Sequence, residues 1–184
     1  PEDCMKCHTP AAGYVLGVKA RQLNREFNYE HTGTSDHQLR ALSHRQLFRQ
    51  PLSAEALSQL DQFAAIDDHS SSLEKRIRSY LDSNCAHCHR VGGVNANWNA
   101  EFDTPLKDQG LLDAAPLNHM GLSSKVKLVV PGAPDHSIML LRMNTDQPGY
   151  RMPPVGRLRL DPSAVQAFEQ WISELGNKTL SRAE

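Results

Sequence analysis

Apolar residues recur at helical spacing in several stretches of the chain. Leu73, Ile77, Tyr80 and Leu81 fall at i, i+4, i+7 and i+8 behind Ser71 and Ser72, two candidate N-caps, and predict a helix running to about Asp82. Near the C-terminal end Val165, Phe168, Ile172 and Leu175 form one stripe with Trp171 beside it. There Asp161 is placed to cap a helix, Pro162 to open it and Gly176 to stop it. Ser137–Arg142 predicts a short helix, on which Met139 and Met143 follow at packing distance. In the first third, Ser35 or Asp36 can cap a helix reaching Phe48 before Pro51, and a further helix is expected from Ser53 to Ile66. On the former, His37, Ala41, His44 and Phe48 share one face, with Leu39, Leu42 and Gln46 opposite.

From Val91 to Pro134 no period is sustained. Gly92-Gly93, Pro105, Pro116 and Pro131-Gly132 punctuate a long loop, and so long a loop in a compact domain needs a reason, such as wrapping a bulky group. The expected fold class is all-α. The polar run Asp67–Ser72 is the expected boundary between a first segment, 1–68, and a second domain, 69–184.

Composition removes several function classes. The 184 residues carry a formal net charge of −1, which gives no electrostatic case for nucleic acid. No apolar run approaches the ~20 residues of a membrane span, so no transmembrane segment is expected. The chain opens on Pro1 with a cysteine at position 4, and reads as a processed product or a fragment excised from something longer.

All four cysteines belong to C-x-x-C pairs, and a histidine follows each pair: Cys4-Met5-Lys6-Cys7-His8 and Cys85-Ala86-His87-Cys88-His89. C-x-x-C-H is the attachment signature of a c-type haem. Two thiols on one tight turn can form thioethers to the two vinyl groups of a porphyrin edge, and the next imidazole then ligates the iron. The spacing thus predicts two haems, on Cys4, Cys7 and His8 and on Cys85, Cys88 and His89. Zinc halves usually lie ~12–20 residues apart, whereas 77 residues separate these pairs. A thioredoxin-like pair would need a βαβ context, and disulfides within each pair would leave both histidines unexplained.

The helix before the second haem motif and the aromatic helix at the end resemble the class I cytochrome c fold, in which a methionine is the usual sixth ligand. Arg151-Met152-Pro153-Pro154 supplies one, 63 residues beyond His89. The prolines hold that loop out of helix. In the first segment the choice lies among His31, His37 and His44. Arg40, Arg45 and Arg49 cluster on the helix of the first segment, Arg142, Arg151, Arg157 and Arg159 flank the methionine loop, and both groups suit haem carboxylates.

The strings CHTPAAGYVLG, QLNREF, HQLRALSHRQLF, CAHCHRVGG, VVPGAPDHSIMLLRM, RMPP and FEQWI together resemble a bacterial family of secreted two-haem cytochrome c domains. The resemblance covers nearly the whole chain. It implies a class I cytochrome c fold for the second half, with long haem-wrapping loops, and a smaller helical haem-binding segment before it. It also implies proximal His8 and His89 and distal Met152. Relatives often read L-x-H-I-G-L-F where this chain has LSHRQLF, which makes His44 the first candidate for the other distal ligand. His37, standing where relatives have Asn, is the second. Such domains are often modules of larger exported proteins. A quinoprotein dehydrogenase or a copper-dependent polysaccharide oxygenase is the redox partner the resemblance implies.

The expected function is electron transfer, not catalysis: no Gly-rich phosphate loop, nucleophile elbow or H-E-x-x-H is present in the sequence. A two-haem peroxidase or a haem-based redox or gas sensor is the alternative, and each would need an open iron face. Covalent haem attachment follows export, so the expected location is periplasmic or extracellular.

Overall fold

Ser72 and Asp161 begin helices as expected in the structure, a computed structural model that describes residues 2–94 and 97–180. In chain order the elements are a helical turn α1 (Glu2–Met5), α2 (Ala20–Leu23), strands β1 (Glu26–Tyr29) and β2 (Thr34–His37), and α3 (Gln38–His44). They continue with α4 (Ala54–Gln59), α5 (Leu73–Asn84), α6 (Ile138–Met143) and α7 (Pro162–Leu180). The fold is mostly helical, and the all-α expectation is corrected by one antiparallel ribbon, paired from Glu26↔His37 to Tyr29↔Thr34. Its turn is closed by Gly33 at φ +64, and Phe27 packs edge-on against Tyr29 with ring centroids 5.1 Å apart. The second strand, Thr34-Ser35-Asp36-His37, is polar throughout and carries no period for a sequence reading to find.

Contacts divide the chain into two units, one of residues 1–16 with 65–184 and one of residues 17–64. The expected split ran at 68/69; the structure breaks the chain at 64/65 and groups the first C-x-x-C-H motif with the C-terminal part.

In the larger unit α5 packs on α7. Ile77 and Leu81 of α5 and Phe168, Trp171 and Ile172 of α7 are buried together, and Tyr80 meets Phe168 edge-on at 5.6 Å. Asp161 serves both helices: one carboxylate oxygen accepts the Ala164 N–H at 3.0 Å and the other accepts the Tyr80 hydroxyl at 3.3 Å. Burial, reinforced by that carboxylate, holds the Tyr80 phenol well above its ordinary range. The α7 helix runs through Gly176, which is not the stop expected of it.

The loop from 91 to 134 is pinned without becoming a sheet. Isolated parallel bridges join Leu112 to Val129 and Lys127 to Ser137, and the Ile138 and Met139 N–H groups bond Lys127 and Leu128 carbonyls at 2.8 and 3.1 Å. Ser137 precedes α6 but does not cap it. Its fully buried hydroxyl donates to the Ala133 carbonyl and accepts the Val130 N–H, both at 2.9 Å.

The smaller unit has little apolar mass, with Leu39, Phe63 and Ala64 buried, and polar groups tie its ends together. The buried Asn24 amide donates to the Leu60 and Asp61 carbonyls at 2.8 and 3.3 Å, and Arg21 pairs with Asp61 at 3.0 Å. These bonds draw the backbone out of helix at Leu60, so α4 ends at Gln59 and not at Ile66. Similarly α3 stops at His44 instead of Phe48. Gln46 turns left-handed at φ +57, and the Leu52 N–H bonds the buried Ser43 hydroxyl at 2.8 Å.

Candidate functional site

Both C-x-x-C-H motifs fold into the same tight turn, the first beginning within the helical turn α1 and the second directly after α5. The Cys88 and His89 N–H groups converge on the Cys85 carbonyl at 3.0 and 2.8 Å. The Cys7 and His8 N–H groups converge on the Cys4 carbonyl at 3.2 and 2.9 Å. One carbonyl accepting two successive amides is the end of a helical turn that is not continued, and it gives the two motifs equal local geometry.

The second motif opens onto a cavity of about 440 Å³ in the larger unit. Cys85 and His89 line it from the motif, Met152 and Pro153 from the proline loop, and Leu128 and Ile138 add apolar wall. Arg142, Arg157 and Arg159 also face it, whereas Arg151 turns to the Pro154 carbonyl at 3.2 Å. Met139 and Met143 line the same cavity, Met139 being buried in the core as its packing role required. Cys88 and the first motif are not among the lining residues.

Burial sets the protonation states here. It pushes His89 down to about 4, with His87 and Arg142 adding to the effect, so the ring is neutral at pH 7 and keeps a lone pair for a metal ion. The His89 Nδ1 atom is buried without a hydrogen-bond partner, and the ring stacks on Trp98 with centroids 4.4 Å apart. Trp98 is the site residue that sequence reasoning missed; its one signal was a large aromatic in a loop otherwise short of them. Burial also pushes the Cys85 thiol up to about 12, helped by the Asp82 charge. The Cys88 thiol rises to about 12 as well, through burial first and then its contact with Cys7.

The Met152 loop is braced by its arginines. Met152 donates its N–H to the Arg142 carbonyl at 3.0 Å, and the Met152–Pro153 peptide is cis. Arg157 donates to the Met143 and Met152 carbonyls at 2.7 and 3.1 Å, to Asp146 at 3.2 Å and to the Thr145 carbonyl. Arg142 donates to the Tyr150 and Asn118 carbonyls at 3.0 and 3.2 Å.

In the first motif Cys7 is buried while Cys4 and His8 are exposed, and His8 Nδ1 lies 2.5 Å from the Tyr14 carbonyl. Cys7 and Cys88 meet with their sulfurs 2.6 Å apart. His87 completes a group whose potential ligand atoms all lie within 4.8 Å of one another. The long sequence separation of the two motifs concealed this meeting.

The three histidines considered for the first site belong to the unit of residues 17–64, whereas Cys4, Cys7 and His8 belong to the other. His44, the last residue of α3, is exposed, as is His31. His37, at the N-terminal boundary of α3, is half-buried and its Nδ1 makes no hydrogen bond. Arg40 pairs with Asp36 at 2.5 Å and with Glu26 at 3.6 Å, holding the Asp36 carboxyl below its ordinary range chiefly through the side-chain hydrogen bond. Arg45 and Arg49 lie beyond the helix on which they were expected.

No protein-family model, curated protein or solved structure matched the chain. Among the described residues no helix is long and apolar enough to cross a membrane.

Proposed function

We propose that the chain is an electron-transfer protein carrying two covalent c-type haems, one on each C-x-x-C-H motif, with the larger unit built as a class I cytochrome c. One observation carries this reading. A thiol, a neutral imidazole and a thioether, from Cys85, His89 and Met152, line a single cavity although the last lies 63 residues beyond the second. Water-excluding walls from Leu128 and Ile138, and arginines suited to carboxylates, complete a donor set that fits a haem.

Bound there, the group supplies an iron couple that gains and loses one electron. Cys85 and Cys88 would hold it through thioethers, and His89 would ligate from one face and Met152 from the other. The His89 Nδ1 makes no hydrogen bond, and stacking on Trp98 fixes the ring plane. Arg157 and Arg142 hold the Met152 backbone in position, so the sulfur is presented by a preformed loop. With His89 and Met152 both committed to the iron, no substrate would reach it, and the role would be transfer and not turnover.

At the first motif Cys4 and Cys7 would form the thioethers and His8 would ligate, with His44 as first candidate for the opposite face and His37 as second. Because covalent attachment follows export, the protein is placed in the periplasm or outside the cell. Its partner would be another redox protein, with a quinoprotein dehydrogenase or a copper-dependent polysaccharide oxygenase as the candidates. The test is a pyridine-haemochrome spectrum joined to intact mass: two haems should remain covalently attached. One haem, or none, overturns the reading at the motif left empty.

A further inference from the structure

Cys7 comes from the first motif and Cys88 from the second, and the fold sets them side by side with His87. Two thiols and an imidazole form a donor set for a thiophilic ion, and sites with three such protein ligands keep a fourth position for water. Cys7 is buried, and Cys88 and His87 are half-buried, so the group is sheltered yet within reach of solvent. Two Zn–S bonds of ~2.3 Å at a tetrahedral angle put the sulfurs about 3.8 Å apart. The 2.6 Å now separating them therefore has to open by roughly an ångström, which rotation about the cysteine Cα–Cβ bonds supplies.

We propose that, before haem is attached, Cys7, His87 and Cys88 bind one Zn²⁺ ion, so that zinc and haem compete for the chain at both motifs at once. Binding breaks two S–H bonds, forms two Zn–S bonds and one Zn–N bond, and releases two protons to solvent. No oxidation state changes, and two thiolates neutralise the ion. Each motif loses one of its two thiols to the metal, so neither can complete both thioethers while it is bound. The competition rests on the two-haem reading, whereas the metal site stands on the three side chains alone.

The test uses the full chain produced without haem and with its thiols reduced, titrated with Co²⁺ as an optical probe. One Co²⁺ per chain should bind with a thiolate-to-cobalt charge-transfer band, and Zn²⁺ should displace it. Cys7→Ser, His87→Ala and Cys88→Ser should each remove or strongly weaken the band, whereas Cys4→Ser and Cys85→Ser should leave it, and far-ultraviolet circular dichroism should show all five variants folded alike. Absence of the band in the wild-type chain overturns the site. Equal loss on Cys4→Ser or Cys85→Ser also overturns it, since the ion would then sit on the C-x-x-C pairs. A chain already carrying both haems should show no band, and a band there overturns the competition. Failure of the two-haem reading shows separately, in the mass of the matured protein.

Discussion

Gly132 and Gly176 meet backbone to backbone. A Cβ on Gly176 would stand 2.6 Å from the Gly132 Cα, and the Gly132 N–H donates to the Ile172 carbonyl at 2.8 Å. Gly176 is thus a contact point inside α7, where the segment leading to α6 crosses it. Gly176→Ala gains up to about 1 kcal/mol of helix propensity but drives a methyl into backbone, which typically costs about 1–3 kcal/mol. The expected outcome in urea denaturation is a net loss of about 1–2 kcal/mol, while Asn177→Ala on the exposed side is neutral or slightly stabilising.

Three methionines line the cavity, and only Met152 sits on a loop held by two arginines. The oxidised protein should show the weak near-infrared sulfur-to-iron band of Met/His ligation. Met152→Ala should abolish it. Met139→Leu and Met143→Leu, which keep the packing and remove the sulfur, should retain it. Loss of the band in either leucine variant would move the ligand onto α6.

Stability of the haem-free chain should depend on pH through His89. Its folded value of about 4 lies below the ordinary 6.5. Between those values the unfolded chain binds a proton that the folded chain refuses, so stability is full above the window and falls as pH drops through it. The size is up to about 3 kcal/mol. Urea midpoints taken on either side of the window should show this fall, and His89→Gln should flatten it.

At the first haem, His44→Ala should open the iron to carbon monoxide and leave the second haem unchanged. His37→Ala should leave both irons closed. The reverse result would assign the ligand to His37, whose buried and unbonded Nδ1 distinguishes it from the exposed His44.

The sequence made the larger unit's frame legible because its signals are local. Ser72, Asp161 and the stripes they introduce set α5 and α7, and α6 begins one residue from its expected start. The smaller unit was harder because side chains distant in sequence decide it. Asn24 reaches the carbonyls that end α4, and Ser43 reaches the amide of Leu52. Asn24 and Leu60 lie too far apart for any periodicity window, and the bond of Ser43 to Leu52 is a single side-chain contact that no period signals. The same holds for the site: each motif is visible by itself, while the contact of Cys7 with Cys88 exists only once the chain is folded.

The two walls of the cavity differ in how much chain must be closed to build them. Cys85 and His89 sit on a turn directly after α5, closed by the Cys88 and His89 N–H groups on the Cys85 carbonyl over three and four residues. The Met152 wall rests on longer closures: the bridges of Leu112 to Val129 and Lys127 to Ser137 lie on the chain between the two walls, and closing segments of that length costs more entropy. The motif is therefore the local wall of the cavity and the Met152 loop the non-local one. Local unfolding should accordingly release the Met152 side of the cavity first and leave the turn of Cys85 and His89 in place.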